Sequence, residues 1–279
     1  MQHAPMPVFV RDRFLADAES MGRFAVYLRR ATFGAGAVGS LQLWLLEREL
    51  SLWAEAGRRP RLWWRDDAAR GVTPALLQLL DVADGIPLAL TIAPHRDLAP
   101  LAREVSSRRH VSFGQYGFEL ANGETPASVE ATAAAIKVAR QSLVDAGIQP
   151  TFYVPPSGRV DDKLRAALHD ARFTAVSAWG KSSAYSGGVG RVDAHIDLLV
   201  GESPRARFCG RGRFLTALTA QLRRRRKAQV WGEAVGLLTR HADHDDAAWR
   251  FLSDFLTFAR GRFDWRRADD LIPRSSEHD

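Results

Sequence analysis

Two adjacent carboxylates, Asp66 and Asp67, follow directly on the run Trp63-Trp64-Arg65. Neighbouring carboxylates repel when both are ionised, so a protein that keeps such a pair must supply a cation or let one hold a proton. The pair is either part of a site or a strand-end feature capping the turn before Thr73, and Arg65 can neutralise one carboxylate in either case. Further along, His195 and Asp197 interrupt an apolar run two residues apart, which puts both on one face of a strand. They read as a pocket-facing pair or as a satisfied structural histidine with its neighbour. His241 and His244, backed by Asp245 and Asp246, have the composition of a metal cluster, although histidines three apart on a loop are more often solvated. His95 stands at the end of another apolar run, so a metal site built from Asp67, His95, His195 and His241 is conceivable. The single cysteine, Cys209, rules out an intrachain disulfide, and a thiolate zinc site needs more sulfur than this.

These residues need a scaffold, and the pattern around them supplies one. Leu41, Trp44, Leu45, Leu52 and Trp53 recur at helical spacing up to Gly57. Short apolar runs then alternate with helical stretches. Strands are expected at residues 61–64, 87–92, 110–113, 149–154, 174–178, 195–200 and 234–238. Helices are expected from Thr73-Pro74 through Leu80 and at 128–146, 161–170, 213–226 and 247–259, with Pro74 at a first helical position. Repeated strand-then-helix units argue for a parallel sheet, and about seven of them suit a barrel better than an open sheet. In a barrel, Asp66, His95, Gln115, Pro155, Trp179 and His241 share the C-terminal mouth, because each follows a strand run.

The chain has 279 residues, 46% of them hydrophobic, and a formal charge of +7. Only four of the 39 basic residues are lysines, which reads as a compositional bias toward arginine rather than an electrostatic footprint, and no nucleic-acid partner is expected. The densest basic stretch, Arg223-Arg224-Arg225-Arg226-Lys227, ends an expected helix, where cations suit the dipole. Its rival reading is an interaction module that binds anionic partners. The apolar runs fall well short of the roughly 18 residues that cross a bilayer. Nor does the N-terminus, with Arg11, Asp12 and Arg13, have the layout of a signal peptide, so the expected location is cytoplasmic. Residues 1–40 carry no motif and are expected as an N-terminal extension, 41–265 as the barrel and 266–279 as a polar tail.

At this point the sequence resembles the polysaccharide deacetylase family. The resemblance rests on residues 63–67 (WWRDD), 115–122 (QYGFELAN), 153–159 (YVPPSGR), 193–197 (DAHID) and 236–241 (GLLTRH), in the family's order. It implies an α/β fold, a distorted (β/α) barrel of about seven parallel strands, and metal-dependent removal of acetyl groups from sugars. Carried over by position, it makes Asp66 the general base, Asp67 a metal ligand and Arg159 the residue that orients the base. Where the family has its pair of metal-binding histidines, this chain has Tyr116 and Leu120. Leu120 cannot coordinate a metal, and a phenol with a pKa near 10 is a poor ligand. Arg240 takes the position of the late acid, beside His241, and a guanidinium cannot shuttle a proton. Tyr116, Pro155, Trp179, His195 and Asp197 are the expected substrate-binding residues, and Arg240 is expected beside Asp66 and Asp67.

The expectation is therefore a degenerate deacetylase-like protein of carbohydrate metabolism, a pseudoenzyme with a sugar-binding type of cleft and a carbohydrate or small acetylated partner. No cofactor is expected. Zinc or another divalent metal enters only if an active hydrolase of C–N or ester acetyl groups uses a rearranged site.

Overall fold

In the computed structural model of the chain, residues 37–95, 97–118, 128–156, 158–179 and 189–272 are described, with side chains from residue 41 onward. Helix α1 (Ala37–Glu55) leads into β1 (Arg61–Ala69), α2 (Pro74–Ala83), β2 (Leu88–Ile92), α3 (Ala99–Ser106) and β3 (Val111–Tyr116). Then come α4 (Val129–Asp145), β4 (Phe152–Val154), α5 (Asp162–Asp170), β5 (Ala175–Val176), β6 (Gly190–Arg191) and β7 (Ile196–Asp197). A hairpin of β8 (Leu199–Val200) and β9 (Arg207–Phe208) precedes α6 (Arg211–Lys227), β10 (Val235–Thr239), α7 (Asp246–Ala259) and β11 (Asp264–Trp265).

The strand order of the main sheet is β6-β5-β4-β3-β2-β1-β10-β7, with every pair parallel, and β11 adds to the start of β1. Strands β6 and β7 are two parts of one extended run, residues 190–197. Its first part pairs with β5, while His195 N–H bonds to Gly236 O at 2.8 Å and Leu198 N–H to Leu238 O at 3.0 Å in β10. The two ends of the strand order thus meet in one segment, and the sheet curves into the expected distorted (β/α) barrel. Parallel strands covered on both faces read as unbroken apolar runs, and β2 and β10 are buried at all five positions each.

Alternation along β1 divides its side chains between two cores. Trp63 points inward, packing with Ala89, Phe152, Val154, Ala175 and Val192, whereas Leu62 and Trp64 join the larger core under the helices. The helices start where their caps demand. Thr73 Oγ1 accepts the Leu76 N–H at 3.1 Å ahead of Pro74, and Asp161 and Asp245 cap α5 and α7 in the same way.

Several elements differ from the sequence expectation. The β1 strand runs five residues beyond Trp64 because its polar end is satisfied by partners on other strands. The expected strand at 195–200 is split: Leu198 N–H still bonds to β10, but Leu199 and Val200 pair antiparallel with β9. Helix α3 has no expected counterpart, since eight residues with Pro100 in the first turn give little periodic signal. The expected tail begins inside the barrel: Arg266 N–H bonds to Leu62 O at 2.8 Å, and Ala268 is buried in the inner core. No described helix is long and apolar enough to cross a membrane.

The tightest approach in the barrel wall lies at Gly236, where a Cβ would meet the Asp193 carbonyl oxygen, Trp63 Nε1 at 2.5 Å and Ala194 Cα at 2.9 Å. Backbone and a buried indole cannot move aside cheaply. Gly236→Ala is therefore expected to cost about 2–3 kcal/mol. Thermal denaturation should show a midpoint lower by about 5–10 °C, and an unchanged midpoint would contradict this packing.

Candidate functional site

At the C-terminal end of β1 the strand alternation sends the two carboxylates to opposite sides of the sheet. Asp67, inward like Trp63 and Arg65, is met by the Arg65 guanidinium through Nη2 to Oδ2 at 2.9 Å and Nε to Oδ1 at 2.9 Å. Thr91 Oγ1 donates to Asp67 Oδ1 at 3.0 Å. Arg65 is 2% exposed, and its Nη1 reaches across the barrel to β5, donating to the Ser177 carbonyl at 3.1 Å and to Ser177 Oγ at 2.5 Å. Burial raises the Asp67 carboxyl above its ordinary value, and the opposing pull of Arg65 does not fully cancel it.

Asp66 faces outward and is fully buried. Its Oδ2 accepts from Thr239 Oγ1 at 2.6 Å and from the His241 N–H at 3.0 Å, while His241 Nδ1 lies 2.5 Å from Oδ1. Trp64 Nε1 donates to Thr239 Oγ1 at 2.8 Å and completes the chain. Burial alone would raise Asp66, but the charge of His241 and the hydrogen bonds from His241 and Thr239 outweigh it and hold the carboxyl below its usual range. Burial likewise depresses His241, yet Asp66 lifts the imidazole above its ordinary value. The pair is a buried aspartate–imidazolium ion pair joining β1 to the end of β10. Beyond Asp66 the strand is irregular: its register with β2 shifts before Ala69, and Ala68 has φ +66°, with its N–H held by Thr91 Oγ1 at 3.1 Å.

Arg240 does not join either carboxylate, contrary to the sequence expectation. Its Nη1 bonds to Asp197 Oδ2 at 2.8 Å, its Nη2 to the Gly201 carbonyl at 3.2 Å, and its Nε faces Asp243 at 3.4 Å. Each carboxylate of the adjacent pair already has its own cation, so nothing draws Arg240 there. Arg159 is exposed after β4, whereas the bonds to Asp66 come from Thr239 and His241. Tyr116 ends β3 close to Asp67; burial and the Asp67 charge both raise its phenol, which stays neutral. Pro155 is buried, and its neighbour Pro156 would sit 2.6 Å from a Cβ on Gly117, so this loop closes over the end of β3. Gln115, expected at the mouth, turns away to the Gly117 and Ile136 carbonyls at 2.9 and 3.2 Å. Leu120 lies outside the described residues.

The remaining residues expected to bind substrate gather elsewhere. Trp179, His195 and Asp197 line a cleft of about 440 Å³ beside α6, whose lining does not include Asp66, Asp67 or Tyr116. His195 is also structural: Nδ1 accepts the Gly236 N–H at 2.9 Å and Nε2 faces Arg225 at 3.2 Å. Burial and that arginine push its pKa down to about 3, so the ring is neutral. His95 is exposed, with Nδ1 3.4 Å from the Asp97 N–H. His244 packs edge-on against Trp249, neutral because burial pushes its pKa down to about 4. The rearranged metal site of Asp67, His95, His195 and His241 is therefore not assembled, and no metal-holding group of three His, Cys, Asp or Glu occurs among the described residues.

Nor do the residues at the mouth fit the metal that the family resemblance implies. Asp67 is clamped by a guanidinium, Tyr116 keeps its proton, and Asp66 is spent on His241. The basic end of α6 is also largely consumed inside the fold. Arg225 is buried against the Glu233 and Ala234 carbonyls, and Arg226 makes a two-point contact with buried Glu49 at 2.6 and 3.1 Å. Sequence reasoning missed Thr91, Ser177 and Thr239. Thr91 and Thr239 are each the lone hydroxyl residue of a buried apolar strand, which is the signal that could have found them, and Ser177 is a buried hydroxyl just after β5.

No protein-family model and no curated protein matches the sequence. Among solved structures, the chain is similar to one from Mycobacterium smegmatis assigned as a polysaccharide deacetylase, at 17% identity and a TM-score of 0.50, covering 74% of this chain and 81% of that one. It also aligns with a family 4 acetyl xylan esterase from Clostridium thermocellum in complex with a cobalt ion, at 12% identity, 76% and 90% coverage and a TM-score of 0.48. A CE4 family pseudoenzyme from Bacillus anthracis aligns at 9% identity, 77% and 66% coverage and a TM-score of 0.48. At these identities the likeness is one of fold, carried by the first of the three.

The Asp66–His241 pair has a defined pH signature. The raised His241 contributes stability that is fully present below its ordinary value of 6.5 and is lost as pH rises through its folded value. The lowered Asp66 contributes stability that is present above its ordinary value of 3.8 and is lost as pH falls through its folded value. Stability should therefore decline on both sides of this window. His241→Gln, which strands a buried carboxylate, should cost about 3–5 kcal/mol and flatten the alkaline decline in denaturant melts. An alkaline limb identical to that of the natural protein would show that His241 is not the titrating partner.

Proposed function

We propose that this chain is a deacetylase-like barrel that does not hydrolyse acetyl groups and serves carbohydrate metabolism by binding. The observation that supports this reading most is the Arg65–Asp67 clamp. The one carboxylate that the resemblance makes a metal ligand has both oxygens engaged by a buried guanidinium that is itself braced on Ser177. A divalent ion there would have to displace Arg65 and leave a cation buried without its partner. The residue at the late-acid position is likewise a guanidinium, held in an ion pair with Asp197. Without a metal to polarise a carbonyl and lower the pKa of water, and without an acid for the leaving group, the main contributions to deacetylation are missing. Tyr116 at the mouth remains available to contact a sugar.

Purified protein incubated with acetylated chitooligosaccharides and with simple acetyl esters is expected to release no acetate above background, whether zinc, cobalt or a chelator is added. Robust, chelator-sensitive release would overturn the proposal. The clamp also predicts an order of repair. The triple variant Tyr116→His, Leu120→His and Arg240→His should gain little zinc-dependent stabilisation while Arg65 stays. Adding Arg65→Leu should free Asp67 and raise the melting temperature in zinc, by the usual linkage of binding to stability. Equal zinc response with and without Arg65→Leu would show that the clamp is not what blocks the site.

A further inference from the structure

The cleft beside α6 is separate from the mouth residues and has its own chemistry. Its volume of about 440 Å³ lies at the small-molecule end of ligand sites. Trp179 is 44% exposed on its rim, unusual for the largest apolar side chain, and Phe214 and Leu199 line the space behind it. Charges around it are almost all paired. Asp197 gives Oδ2 to Arg240 and Oδ1 to the Leu199 N–H at 2.8 Å. Arg211, two residues before Arg213, is turned to Asp254 at 3.6 Å and lies over Phe251. Arg213 is exposed on the cleft and has no hydrogen-bond or ion-pair partner among the described residues. His195 is neutral and the Cys209 thiol, pushed up to about 11 mainly by burial, keeps its proton, so neither adds charge.

We infer that this cleft binds a small cyclic monocarboxylate, its carboxylate held by Arg213 and its ring face laid on Trp179. One uncompensated guanidinium matches one carboxylate in a two-point contact, whereas a dianion such as phosphate would leave a charge unmatched. The indole face accepts a ring, and Asp197 on the wall, fixed by its pairing with Arg240, offers a polar edge to ring substituents. Two sources supply such a ring, a hydroxylated sugar acid and an aromatic acid, and both present the same carboxylate. The inference does not depend on the reading of the barrel mouth.

Titration calorimetry of the full chain with glucuronate, benzoate and glucose tests it. At least one of the two acids should bind, and the better one names the ring; glucose, lacking the charge, should bind at least about tenfold more weakly than glucuronate if the sugar acid is preferred. Arg213→Gln should weaken the acid about tenfold or more, the loss of one charge-assisted contact, and Trp179→Ala should weaken it as well. Both side chains are exposed, so neither change threatens the fold, and Arg103→Gln on α3 should leave binding unaltered. No binding of either acid up to about 10 mM, or equal affinity in Arg213→Gln, would overturn the inference.

Discussion

Two neighbouring carboxylates buried at one strand end set the terms for everything around them. A buried carboxylate is tolerated only with a cation or several hydrogen bonds, and two in sequence cannot share one partner because alternation sends them to opposite faces. The chain answers on each face separately. Inside the barrel Arg65, two residues back on the same strand, turns onto Asp67. Outside, His241 and Thr239 from β10 close on Asp66. Each solution also crosses between strands, so charge neutralisation and barrel closure are the same set of contacts. Arg65 braces β1 against β5 through Ser177, and Asp66 fastens β1 to β10.

The strain at the end of β1 follows from this arrangement. Asp67 must reach Thr91 on β2 while Asp66 reaches Thr239 on β10, and the shift in register before Ala69 lets the strand serve both. Ala68, in the left-handed region at φ +66°, carries the cost. A non-glycine residue there costs on the order of 1 kcal/mol, which the two buried networks over-determine. A strand free of those demands would have ended near Trp64, where the apolar pattern stops.

That difference marks how far the sequence could be read. The parallel α/β barrel, the cap at Thr73 and most of the longer helices were legible because burial periodicity and capping chemistry are local. Arg65 as a neutralising neighbour was legible too, since an adjacent charge needs no knowledge of the fold. Partner choice across strands was not. Arg240 stands next to His241 in the chain, yet the backbone at residues 239–241 delivers the imidazole to Asp66 and the guanidinium to Asp197. The His195 ring could be read as pocket-facing or as structural, and only the fold shows that it takes the Gly236 N–H and faces Arg225 from a helix thirty residues on. The α6 cations likewise read as a surface run until Glu49, from the opposite end of the chain, is seen beneath them.

The contrast between a guanidinium and a metal ion at Asp67 then bears on what such a fold can keep. Both neutralise the carboxylate, so the electrostatic requirement of the scaffold is met equally well by either. They differ in what is left over. A metal ion retains open coordination positions that can draw in a carbonyl or a water, whereas a guanidinium directs its donors along a fixed planar fork. In Arg65 that fork is turned to Asp67 on one side and to Ser177 on the other. On the proposed reading, the barrel meets the charge of Asp67 without an ion while giving up the position from which, by the family resemblance, an ion would act. Binding surfaces built on other parts of the wall, such as the one between Trp179 and α6, are left untouched by that exchange, because none of their side chains takes part in holding Asp66 or Asp67.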